Sequence, residues 1–250
     1  MLIALTNAVS SKLVDLYPAV DYAAALQQHE RYCEALQRHG AQLRRLSVNA
    51  EHGDACFIED NAVVVDEVAI LTTMGASHRR HEPRAIAPVL AEYGPVERVA
   101  DEARVEGGDV LRVDRDIFVG RSARTNHRGV DALRRILEPR GYRVTAVDVA
   151  DGLHLKTACT ALDGATLLAN QAWLDMAPFQ RFNVIDVHPD EPTAANVLRI
   201  GDAILMHEGH TRTIERVRER FPRAQTVDIS EFAKADGGLT CLSLIFEVRP

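Results

Sequence analysis

The chain has little of what marks a secreted, metal-binding or nucleic-acid-binding protein. Its 250 residues hold four cysteines, Cys33, Cys56, Cys159 and Cys241, with no CxxC pair and no metal-finger spacing. They read as reduced thiols, which excludes a disulfide frame and points to the cytoplasm. Lys and Arg are not gathered into a basic stripe and the net charge is −7, so nucleic acid is not an expected partner. Met1 to Val9 is one short apolar run without a basic leader or cleavage site, and no stretch approaches membrane-spanning length. A membrane partner is therefore not expected either. An HExxH motif is also missing, which ranks a zinc hydrolase last, and neither a metal nor an organic cofactor is expected.

What is present is a repeat. Four polar clusters, Phe57-Ile58-Glu59-Asp60, Glu106-Gly107-Gly108-Asp109, Leu153-His154-Leu155-Lys156 and Thr240-Cys241, each stand just ahead of an apolar, strand-like run. Glu59 and Glu106 are 47 positions apart, Glu106 and His154 48, and His154 and Cys241 87, close to two further steps. Along the chain one unit returns: two short strands, a helix, and one more strand. Ala62 to Val65 and Val68 to Thr72 open the first unit, with helical spacing at Ala85, Val89 and Leu90 and a strand at Val96 to Val99. Val110 to Val113 and Ile117 to Val119 open the second, Asn126 caps its helix, and Tyr142 to Val147 closes it. Leu155 to Leu162 and Ala165 to Ala169 flank the hairpin signal Asp163-Gly164 in the third, whose helix is expected from Gln171 to about Phe179.

The fourth unit pairs Asn196 to Ile200 with Ala203 to Met206, followed by a helix carrying Ile214, Val217 and Phe221. A fifth appears when the termini are joined, Leu239 to Val248 lying beside Leu2 to Leu5 and a helical stripe following at Tyr22, Leu26, Cys33 and Leu36. The expected fold class is therefore α/β, a five-bladed α/β-propeller of ββαβ units around a central channel, as one domain over 1–250. An ordinary mixed α/β sandwich is the competing arrangement.

In a ring, equivalent positions converge on the axis. A converging Cys241, His154 and acids are the parts of a nucleophilic catalyst, although a buried Cys and a core His are the plainer readings of each alone. Glu106, before two glycines, is placed either to orient and charge the imidazole or as a turn acid facing solvent. Asp109 is a turn or capping residue with no chemistry assigned. Glu59 and Asp60 are adjacent, so on a regular strand only one could face inward; either the backbone is irregular or one of them is structural. With Asp54 they suggest a cationic substrate, and a planar guanidinium suits paired carboxylates. Arg79 and Arg124 follow the first two hairpins and could take an anionic group such as an α-carboxylate, while Arg80 and Arg121 read as surface charges.

At these residues the sequence resembles the dimethylarginine dimethylaminohydrolase family of the guanidine-modifying (amidinotransferase) superfamily. The likeness covers essentially the whole chain, adding Asp21-Tyr22-Ala23-Ala24-Ala25-Leu26, Ser122-Ala123-Arg124-Thr125-Asn126 and Asp236-Gly237-Gly238-Leu239 to the clusters above. It implies the pentein propeller, with Cys241 as nucleophile, His154 as general acid and base, and Glu106 supporting that histidine. It further implies that Glu59 and Asp60 bind a guanidino substrate, that Asp54, Arg79 and Arg124 contact its amino-acid end, and that Asp236 is a further substrate-side acid. Departures are His52-Gly53-Asp54 in place of the usual Pro-Asp, Cys56 near the pocket, and a lid segment, Ser10 to Val20, without a matching motif. The implied reaction is hydrolysis of an N-methylated arginine to citrulline. Arginine deiminase chemistry and non-catalytic amino-acid binding are the alternatives. A propeller edge could pair two copies, but no strong interface pattern marks a homodimer.

Overall fold

The computed structural model describes residues 1–100 and 102–248. Strand β1 (Leu2–Asn7) is followed by a short helix, α1 (Leu13–Leu16), a long one, α2 (Tyr22–Arg38), and β2 (Gln42–Leu46), which runs parallel to β1. Asp21 caps α2 by accepting from Ala24 N, and Gly40, with φ of 86°, turns the chain out of it. Next, β3 (Ala62–Val64) and β4 (Ala69–Leu71) form an antiparallel hairpin, α3 (Glu82–Ala91) crosses over, and β5 (Val96–Arg98) joins parallel to β4. The same unit is made by β6 (Val110–Val113), β7 (Asp116–Arg121), α4 (His127–Leu137) and β8 (Arg143–Asp148). One helical turn, α5 (Leu155–Ala158), then leads into β9 (Cys159–Ala161), β10 (Thr166–Ala169) and β11 (Asn183–Asp186).

The next unit is β12 (Leu198–Ile200), β13 (Ala203–His207), α6 (Thr211–Arg220) and β14 (Gln225–Val227). After α7 (Ser230–Ala233), β15 (Leu244–Glu247) pairs antiparallel with β1, Leu2 opposite Glu247 and Leu5 opposite Leu244. Terminal pairing thus completes the fifth three-stranded sheet. Middle strands such as β4 and β10 are buried at every residue, which is why they read as continuous apolar runs and not as alternating ones. The first strands β3, β6, β9 and β12 and the last strand β15 line a shared cavity of about 660 Å³. That cavity is the axis of a five-bladed α/β-propeller. Among the described residues no helix is long and apolar enough to cross a membrane.

Three local expectations are corrected. Gln171 to Phe179 is two short 3-10 turns, Gln171–Trp173 and Ala177–Phe179, not a helix. Asn170 and Asp175 side chains accept from Ala172 N and Ala177 N, and Pro178 offers no N–H, so local turns win. Leu155 begins a helical turn where a strand was expected. In α2 the buried face runs through Ala25, Tyr32, Ala35 and Leu36, and Leu26 is 44% exposed. Gln28 shares that face because it donates to Asp228 and Ser230 and accepts from Glu231 N.

Candidate active site

Four of the five inner strands are entered through a short helical turn: Ile58–Asn61 before β3, Gly107–Asp109 before β6, α5 before β9, and Thr240–Leu242 before β15. These turns carry the polar clusters. On a helical turn neighbouring side chains are not opposed as they are on a strand, so Glu59 and Asp60 are both buried within the ring.

The side chains meet at hydrogen-bonding distance. Glu106 Oε2 lies 2.7 Å from His154 Nε2, and Glu106 Oε1 accepts from Ala76 N at 3.0 Å. Asp60 Oδ1 accepts from Gly108 N at 3.0 Å and stands 3.7 Å from the same His154 Nε2. Glycine is required there: a Cβ on Gly108 would fall 2.6 Å from His154 Nδ1 and 2.9 Å from Asp60 Oδ1. Cys241 is 8% exposed, and its sulfur accepts from Gly238 N at 3.3 Å.

Charge follows from this packing. Burial disfavours the imidazolium of His154, but Asp60, the Glu106 hydrogen bond and Asp109 outweigh it and push the group up to about 9. Burial likewise raises Asp60, yet the charges of His154 and Arg79 and the Gly108 N–H hold it below its ordinary value. For Glu59 burial prevails over Lys156 and Thr240, and its affinity for a proton rises. Burial, with the charges of Glu59 and Asp60, pushes the Cys241 thiol up to about 12. Sulfur in this setting is a thiol until a cation arrives beside it.

Beneath the cluster, Lys156 Nζ meets Glu59 Oε1 at 2.5 Å and Thr240 Oγ1 donates to Glu59 Oε2 at 2.7 Å. These three residues border the axial cavity, which Asp60, Glu106, His154 and Cys241 do not line. At another side, Asp54 accepts from Tyr17 OH at 3.0 Å and pairs with His78 Nε2 at 2.8 Å. Tyr17 follows α1 in the segment where the sequence offered no motif. Arg124 Nη1 is 3.6 Å from Glu106 Oε1, and Asp236 is exposed with a φ of 56°.

Arg79 has surroundings other than those expected. Its side chain is buried, with Nη1 on Asp60 Oδ2 at 2.7 Å, Nη2 on the Phe57 carbonyl at 2.8 Å, and Nε and Nη2 on Glu82 at 3.0 and 2.9 Å. It braces Asp60 and does not lie open beside Arg124, because the fully buried Glu82 needs a cation partner. Asp109 takes a structural place, accepting from Leu155 N and Ser122 Oγ. Asp60, Glu106 and His154 bring three ligand-type atoms within 4.8 Å of one another. A metal ion there has to displace the proton that His154 holds toward Glu106.

The family model described as N,N dimethylarginine dimethylhydrolase, eukaryotic, matches residues 3–160. The N(G),N(G)-dimethylarginine dimethylaminohydrolase of Pseudomonas aeruginosa is 36% identical over 90% of this chain and 90% of its own. The chain belongs to the dimethylarginine dimethylaminohydrolase family. It is thereby a hydrolase of carbon–nitrogen bonds in linear amidines. The solved Pseudomonas aeruginosa dimethylarginine dimethylaminohydrolase, a Cys→Ser mutant complexed with citrulline, matches with a TM-score of 0.91 and 34% identity over 97% of this chain and 98% of that one. A dimethylarginine dimethylaminohydrolase His→Gly adduct with S-methyl-L-thiocitrulline matches with a TM-score of 0.93 and 33% identity, covering 98% of this chain and 100% of that one. The pentein fold implied by the family resemblance is the fold observed.

Sequence reasoning missed Glu82, Tyr17, His78 and Asn196 and gave no role to Lys156. Asn196 had a signal: it occupies the one repeat step between His154 and Cys241 that carried no assigned residue.

Proposed function

We propose that this chain hydrolyses N-ω-methylated L-arginine, as asymmetric dimethylarginine or monomethylarginine, to L-citrulline and dimethylamine or methylamine. The observation that carries this reading is the buried His154–Glu106 pair at 2.7 Å with Asp60 3.7 Å from the same nitrogen. It joins an acid–base group to a guanidinium acceptor, and the charge of Asp60 is felt at Cys241. The citrulline and S-methyl-L-thiocitrulline complexes of relatives support the same substrate class.

In the proposed course, Asp60 and Glu59 hold the guanidinium, whose positive charge beside Cys241 lowers the thiol pKa so that the thiol releases its proton to solvent and becomes thiolate. The sulfur attacks the guanidinium carbon, forming a C–S bond and a tetrahedral adduct. His154, as imidazolium held by Glu106, protonates the methylated nitrogen, and the C–N bond breaks to release the amine. A thiouronium on Cys241 remains. Neutral His154 then takes a proton from water, whose oxygen bonds to the same carbon; the C–S bond breaks, the remaining hydroxyl proton leaves to the departing sulfur or to solvent, and citrulline is released. Asp54, Arg124 and Asp236 serve the amino-acid end, and Arg79 acts through Asp60. Neither metal nor organic cofactor is needed for this balance. Residues 1–250 act as one catalytic domain in this reading, and four free, buried cysteines suit a cytoplasmic location.

The test is a citrulline assay on asymmetric dimethylarginine, monomethylarginine and arginine, with Cys241→Ser as control. Citrulline from the methylated substrates, lost in the variant, supports the proposal. Citrulline chiefly from arginine makes the chain a small deiminase, and turnover retained by Cys241→Ser refutes the covalent route.

A further inference from the structure

Four inner strands are entered from residues that the proposed chemistry uses. Before the remaining one, β12, stands Asn196, 42 positions after His154 and 45 before Cys241. Its side chain is buried and its amide bonds to two segments of the site, the one that follows His154 and the one that carries Cys241. Nδ2 donates to Thr240 Oγ1 and to the Lys156 carbonyl, both at 3.1 Å, and Oδ1 accepts from Thr240 N at 3.1 Å. One amide thus holds Thr240 by backbone and hydroxyl, and that hydroxyl donates onward to Glu59.

The residue after Thr240 is Cys241. On its other side the amide lies flush against Gly238, where a Cβ would fall 2.3 Å from Asn196 Cγ and 2.4 Å from Oδ1. Gly238 is the residue whose N–H points at Cys241 Sγ. Asn196 therefore touches both residues that frame the sulfur. Donor and acceptor are needed at once, which neither a carboxylate nor an apolar residue of that size supplies.

We infer that Asn196 is a positioning residue for Cys241, its amide fixing the turn from Gly238 to Leu242 so that the Gly238 N–H faces the sulfur and favours thiolate. The inference rests on the proposal that Cys241 is the nucleophile. Asn196 reaches no reacting atom; it acts through Thr240 and Gly238. An N–H aimed at sulfur favours the charged form, and one pKa unit is a tenfold change in thiolate fraction well below the pKa.

The test is the rate of Cys241 alkylation by iodoacetamide from neutral to alkaline pH, with the modified peptide located by mass spectrometry, alongside kcat and KM for asymmetric dimethylarginine. Asn196→Ala is expected to alkylate about tenfold more slowly at each pH below the thiol pKa, an upward shift of about one unit. Its kcat should fall about tenfold or more, with KM changed less than about threefold. Thr240→Val, which keeps the volume and removes the hydroxyl, should shift the profile in the same direction, and it carries the test alone where Asn196→Ala does not fold. A lowered melting temperature with the wild-type alkylation profile assigns Asn196 a packing role and overturns the inference. Turnover by Cys241→Ser is a different failure, that of the nucleophile itself.

Discussion

Glu82 holds Arg79 edge to edge, Oε1 accepting from Nε at 3.0 Å and Oε2 from Nη2 at 2.9 Å, and leaves Nη1 turned to Asp60 at 2.7 Å. All three side chains are buried. Lysine cannot reproduce that two-sided contact, and breaking a buried pair costs about 3–5 kcal/mol. Arg79→Lys is therefore expected to lose about 3 kcal/mol in denaturant unfolding, and to raise KM for asymmetric dimethylarginine at least about tenfold as Asp60 loses its brace. The same rise should appear with a decarboxylated guanidine analogue. A rise confined to substrates bearing the α-carboxylate would return Arg79 to the role first expected of it.

His154 gains its proton affinity from acids that are far apart in the chain. Its value is raised from 6.5 to about 9, so its charged contacts stabilise the fold fully below about pH 6.5, and this contribution is lost as pH rises through about 9. The melting-temperature gap between wild type and His154→Asn should therefore shrink across that window. Glu106→Gln removes the hydrogen-bonded anion, and the alkaline limb of the kcat profile should move down by about one unit or more. An unmoved limb would show that another group sets it.

The repeat was legible because each blade has the same need, an apolar inner strand entered from a polar turn. Ring closure was equally legible, since Leu2 to Leu5 and Leu244 to Phe246 are apolar runs that a ring must pair. What the sequence hid was backbone shape and burial. Glu59 and Asp60 point inward together only because Ile58–Asn61 is helical. The partners of Arg79 were not legible because Glu82 at the start of α3 becomes fully buried, which no local pattern announces. Asn196 could have been found from its repeat step, but as the first residue of the expected strand Asn196 to Ile200 it carried no sign of a role in the site.

Gly108 packs its bare Cα against the catalytic pair proposed here. A methyl group there would sit 2.6 Å from the imidazole and 2.9 Å from Asp60, and overpacking of this kind costs about 1–3 kcal/mol. Gly108→Ala should leave a folded protein with modestly lower stability and a kcat reduced about 100-fold or more, because a displacement of about 1 Å is enough for such a loss. Near-normal kcat would mean that the His154–Asp60 approach is not needed for turnover.

Tyr17 ties the segment after α1 to the ring by one bond, its hydroxyl donating to Asp54 Oδ1 at 3.0 Å while His78 Nε2 lies 2.8 Å from Oδ2. Burial and the Asp54 charge both raise the Tyr17 pKa, which keeps the phenol a donor. If Asp54 receives the α-ammonium of the substrate, Tyr17 fixes the carboxylate for that contact. A hydrogen bond to a charged group is worth about 1.5–3 kcal/mol, so Tyr17→Phe should raise KM about tenfold or more. Its kcat should stay within about threefold, because the bond lies at the amino-acid end and not at the reacting carbon. Asp54→Asn should raise KM further. An analogue without the α-amino group separates the two ways Tyr17 can act: wild type and Tyr17→Phe should bind it alike if the phenol works through the ammonium contact. A tenfold difference on that analogue would show instead that Tyr17 holds the segment closed over any ligand.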